Sequence, residues 1–139
     1  LWEQARAIME QHPWTGLGAE GFWRAEIGEA NAITRFFHYD YFTKFSFHNS
    51  YLEVGVALGY PGMYAAIFVA GWALFQAARN WLGDQSTLNA FFLIFAVLVI
   101  IRSNTEVDLT TELSGTLILL FIAAARGAAA RPARGPARR

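Results

Sequence analysis

Cysteine is missing from all 139 residues, so there is no disulfide framework and no thiolate chemistry, and the redox compartment leaves no trace. Charge is scarce too: 16% of residues are charged against 55% hydrophobic, outside the usual balance of a soluble domain. A phosphate cradle is also lacking. Gly16-x-Gly18-x-x-Gly21 fits the dinucleotide spacing, yet a helical pattern and Pro13 precede it where that fingerprint requires a strand, so it reads as a turn before an aromatic segment. His12, His38 and His48 follow no local ligand spacing, and no metal site is expected. No Ser-His-Asp pattern stands out, and no nucleic-acid partner is expected. The first residue is Leu1 rather than Met, within a helical pattern already under way, and the sequence is expected to be the C-terminal piece of a longer protein.

What is present is aromatic and apolar, with a graded charge. The net charge of zero hides an acidic beginning and a basic end. Residues 1–60 hold Arg6, Arg24, Arg35 and Lys44 against Glu3, Glu10, Glu20, Glu26, Glu29, Asp40 and Glu53. Residues 126–139 hold five arginines and no acid. A membrane protein with a basic cytoplasmic tail explains that gradient.

In residues 1–12, Leu1, Trp2, Ala5, Ile8 and Met9 form an amphipathic stripe that Pro13 ends. Residues 23–47 alternate polar and aromatic without a clean period and read as the longest irregular stretch. Their rings suit a membrane–water interface. A short apolar helix from Tyr51 to Leu58 breaks at Gly59-Tyr60-Pro61-Gly62. Three apolar runs follow, near 61–79, 87–102 and 112–126, closed by Arg79, Arg102 and Arg126. The first is about the ~20 residues that a hydrocarbon core requires, and the others need their polar flanks. The expected architecture is all-α and integral to the membrane, with about three transmembrane helices across 61–125 preceded by an external helix–loop segment at 1–60. The arginine tail at 126–139 is expected to be disordered and cytoplasmic, which puts the 103–112 turn and residues 1–60 outside. Arg79 agrees with that orientation and Arg102 does not. A soluble helical bundle is the competing reading of the same runs.

The chemistry-bearing groups gather around Phe47-His48-Asn49-Ser50-Tyr51-Leu52-Glu53. Imidazole is the side chain suited to proton transfer near neutral pH, and guanidinium suits phosphate because its planar fork donates two parallel hydrogen bonds. A base beside cations at a membrane surface fits a lipid-linked, phosphorylated donor and a hydroxyl acceptor. The competing reading makes His48 a helix cap and the cations solvated loop charges.

Leu1-Trp2, then His12-Pro13-Trp14-x-Gly16-x-Gly18-x-x-x-Phe22, then His48-Asn49-Ser50-Tyr51-Leu52-Glu53-x-Gly55 with Gly59-Tyr60-Pro61-Gly62 after it, together resemble the O-antigen ligase and polymerase superfamily. The likeness is closest to its exopolysaccharide-polymerase type. Arg102-Ser103-Asn104-Thr105-Glu106-x-Asp108 resembles the turn such proteins carry between their last helices. The resemblance implies a multi-pass bacterial inner-membrane glycosyltransferase that moves a glycan from undecaprenyl diphosphate to an acceptor hydroxyl at the periplasmic face. It implies no metal, nucleotide sugar or other cofactor, and it implies contact with membrane lipid and with other polysaccharide-assembly membrane proteins. The family's histidine after the large periplasmic loop falls on His48, as base toward the acceptor. Asn49 and Glu53 would orient that ring or bind sugar. Arg24 and Arg35, which match no firm motif, are assigned to the diphosphate by their place in the loop. Far more helices are usual in the family, so this stretch is expected to hold an incomplete site. A non-catalytic membrane structural or transport subunit is the rival reading.

Overall fold

The computed structural model describes residues 1–19, 21–23, 28–36, 38 and 45–107, with residues 118, 119, 122 and 125 beyond them. Among the described residues the fold is all-helical: α1 (Trp2–Gln11), α2 (Gly28–Phe36), α3 (Ser50–Gly83) and α4 (Thr87–Arg102). The third apolar run lies mostly outside the described residues. So do the arginine tail, Arg24 and Lys44.

The α1 helix buries the stripe Ala5, Ile8 and Met9, and carries Glu3 in its first turn, where a carboxylate complements the helix dipole. It packs on the first two turns of α3, around a core of Phe22, Ala30, Phe47 and Val56. The α2 helix corrects the irregular reading of residues 23–47. Nine residues long, it contributes only Ala30 and the partly buried Ile33 to the core. That is under one full repeat of an apolar stripe, too little to stand out as a period in the sequence.

The break in α3 is narrower than the sequence suggests. Only Gly59 leaves helical geometry, at φ 73° and ψ −173°, and the helix resumes through Pro61. This region of backbone space is nearly exclusive to glycine, and a methyl at Gly59 would stand 2.5 Å from the Pro13 carbonyl oxygen. The hydrogen bonds lost at the break are taken over by the turn after α1. Tyr60 N–H donates to Pro13 O at 2.8 Å instead of to Val56. The Val56 carbonyl accepts from Leu17 N–H at 2.8 Å. Pro61 has no N–H for the Ala57 carbonyl, which accepts from Gly18 N–H at 2.9 Å. Gly16, at φ 61°, lets the turn lie against the Ala57–Leu58 peptide. The Gly16-x-Gly18 spacing therefore serves as a backbone clamp on a broken helix, with no strand before it.

Beyond the break α3 rises about 36 Å at about 1.5 Å per residue, and it is the one helix among the described residues long and apolar enough to cross a membrane. The 16-residue α4 is shorter than such a span. The two form a hairpin closed by Asn89, whose side-chain amide donates to Asp84 O at 2.8 Å and to Asp84 Oδ2 at 3.2 Å. Their seam is built of small residues, with Ala73, Ala77, Ala96 and Val99 buried, while Tyr64, Phe68, Trp72, Phe75, Ile94 and Leu98 face outward. Only 22% of the most apolar stretch of α3 is buried among the described residues. Small residues in the seam and large apolar ones outside is the arrangement expected where lipid removes the hydrophobic drive between helices.

Candidate functional site

The segment before α3 is held by its backbone. The Phe47 ring is fully buried and packs on Phe22 and Trp23, with ring centroids 5.3 and 4.7 Å away. Its N–H donates to Glu53 Oε2 at 2.9 Å, and its carbonyl accepts from Trp2 Nε1 at 3.0 Å. Trp23 Nε1 donates to Glu53 Oε1 at 2.8 Å. The Glu53 carboxylate thus joins the loop that carries Trp23 to the peptide just before His48. The Trp2 and Trp23 anchors are not apparent from sequence reasoning about chemistry, although Trp2 belongs to the Leu-Trp pair of the motif.

His48 adopts φ 51°, uncommon for a non-glycine residue and maintained only where the surroundings over-determine it. Here both neighbours are fixed. On one side stands the locked Phe47. On the other, Asn49 caps α3, its Oδ1 accepting from Tyr51 N–H at 3.1 Å and Leu52 N–H at 3.0 Å. The imidazole is left outside, 53% exposed, perpendicular to the Phe45 ring with centroids 5.8 Å apart. The helix cap is therefore Asn49, and His48 is displayed beside it.

The turn after α4 completes the arrangement. Ser50 N–H donates to Ser103 O at 2.8 Å, Ser50 Oγ to Glu106 O at 2.8 Å, and Asn49 Nδ2 to Asn104 O at 3.3 Å. The Ser50 N–H, one of the amides that the start of α3 leaves without a helical acceptor, thereby meets the carbonyl of the residue that caps α4, and two side-chain donors meet carbonyls of the turn beyond it. The same turn brings Glu106 Oε2 to 3.9 Å from His48 Nδ1.

His48, Asn49 and Glu53 thus share one short segment, tied to residues 103–106. Arg35 sits elsewhere, in the last turn of α2. Arg24 lies outside the described residues. His12 and His38 belong to other segments, and no group of three His, Asp or Glu among the described residues could hold a metal ion.

The O-antigen ligase family matches residues 1–67, a stretch that contains α1, the clamp and the whole His48 segment. The chain is also 26% identical over 125 residues to the exopolysaccharide production protein ExoQ of Rhizobium meliloti (strain 1021). Both likenesses support the O-antigen ligase and polymerase superfamily. The alignment with ExoQ covers 88% of this chain and 29% of that protein, so the chain spans under a third of its relative's length. No solved structure matches it. The matched residues include those that build the clamp and the Asn49 cap described above.

Proposed function

We propose that the chain is part of a multi-pass bacterial inner-membrane polymerase or ligase that transfers a glycan from undecaprenyl diphosphate to an acceptor hydroxyl at the periplasmic face. The observation that carries this reading is the display of His48: an exposed imidazole in a constrained backbone, at the start of a helix long and apolar enough to cross a membrane. The likeness to the O-antigen ligase family and to ExoQ supports the substrate class.

In this mechanism the acceptor O–H gives its proton to His48 as its oxygen bonds to the anomeric carbon. The bond from that carbon to the diphosphate oxygen breaks, and its electron pair leaves with undecaprenyl diphosphate. The imidazolium then releases its proton to solvent. Asn49 fixes the helix start, and Glu53 fixes the peptide before the ring. Arg24 and Arg35 would bind the diphosphate, whose charge grows as the bond breaks. Residues 1–60 and the 103–106 turn lie on the periplasmic side in this reading, and the arginine-rich tail in the cytoplasm.

His48→Ala in the full-length protein, assayed in membranes with carrier-linked glycan, is expected to abolish product at an unchanged protein level. Product of normal amount and length from that variant would favour a non-catalytic membrane subunit instead.

A further inference from the structure

We propose that Glu106 is the positioning residue for His48, an inference that rests on the assignment of His48 as the base. Residues 49–50 and 103–106 are far apart in sequence, yet they are tied by Ser50 N–H to Ser103 O, Ser50 Oγ to Glu106 O and Asn49 Nδ2 to Asn104 O. So many ties over so few residues fix where the Glu106 side chain originates. It starts from the residue whose own carbonyl is bonded to Ser50, and its Oε2 faces His48 Nδ1 at 3.9 Å.

That separation is about 1 Å beyond a hydrogen bond, a gap of the kind that closes when substrate binds, since catalytic hydrogen bonds are often long in the free enzyme. Both side chains are about half exposed, so an acceptor sugar can reach the ring. A carboxylate on Nδ1 keeps the proton on that nitrogen and leaves Nε2 as the one that takes the acceptor's proton. It also stabilises the imidazolium formed in the step, and holds the ring plane toward the acceptor. Glu53 cannot do this while its two oxygens hold Trp23 and Phe47.

The test uses the full-length protein in proteoliposomes with carrier-linked glycan. Glu106→Gln keeps the length of the side chain and the backbone carbonyl that Ser50 uses, so protein level and melting temperature in detergent should not change. Its kcat should fall about tenfold, a share of the ~10²–10⁴-fold that a positioned general base contributes, with KM for the carrier unchanged. Glu106→Asp should recover part of the loss. A wild-type kcat in Glu106→Gln, or a loss that follows a lowered melting temperature, would overturn the proposal. If His48→Ala is inactive while Glu106→Gln is fully active, only the role of Glu106 fails; an active His48→Ala removes both readings.

Discussion

Glu53 offers the sharpest separation between holding the loop and holding the substrate. Its carboxylate accepts from Trp23 Nε1 at 2.8 Å and from Phe47 N–H at 2.9 Å. Bonds to a charged acceptor contribute about 1.5–3 kcal/mol each, and the Phe47 amide sits under a fully buried side chain, where an unmet donor is costly. Glu53→Ala removes both acceptors. Water reaches part of the site, so the expected loss is about 3 kcal/mol, short of the full sum. Glu53→Gln keeps one acceptor oxygen but turns an amide N–H₂ toward a donor, and should cost about 2 kcal/mol. The assay is hydrogen–deuterium exchange of the full-length protein in detergent, followed on peptides across residues 45–52. A local loss of about 3 kcal/mol shortens protection there by about 100-fold, at about 1.4 kcal/mol per factor of ten. Product formation should fall with it, because His48 loses its fixed neighbour. Undiminished protection in Glu53→Ala, together with a raised KM for the acceptor, would refute the reasoning and assign the carboxylate to sugar.

Gly59→Ala forces a side chain into a glycine-only conformation 2.5 Å from the Pro13 oxygen, and is expected to cost about 3 kcal/mol or more. Rapid proteolysis between α1 and α3 would report it. Ala77→Leu overfills the α3–α4 seam and should lower stability in detergent by about 1–3 kcal/mol. Leu82→Ala, at an outward position 78% exposed, should change it by under about 0.5 kcal/mol in the same melt.

The helices were legible in the sequence where one periodic signal ran long enough. The stripe of α1 ended by Pro13, and the apolar run of α4 between Ser86 and Ser103, both follow from local rules. The α2 helix was not legible because two core residues do not make a period. The glycine-rich turn was legible as a turn, but its purpose depends on carbonyls of Val56 and Ala57 that only become free when α3 breaks. His48, Asn49 and Glu53 could be singled out by residue type. Glu53's acceptance of Trp23 Nε1–H and the approach of Glu106 could not, because both depend on the path of the chain between distant segments. A carboxylate looks the same in a sequence whether it faces a sugar or an indole.

The exchange of backbone bonds between the 13–18 turn and α3, and between α3 and the 103–106 turn, also sets an order of assembly. A chain growing from its N-terminus makes the clamp residues long before the carbonyls they must meet. The histidine segment must wait for α4 as well, since Ser50 and Asn49 donate to carbonyls at its far end. Until α3 and α4 have formed and packed together, the donors of the segment around His48 lack the carbonyls they meet in the fold. The displayed imidazole is therefore a late product of biogenesis, formed only once the hairpin behind it has closed.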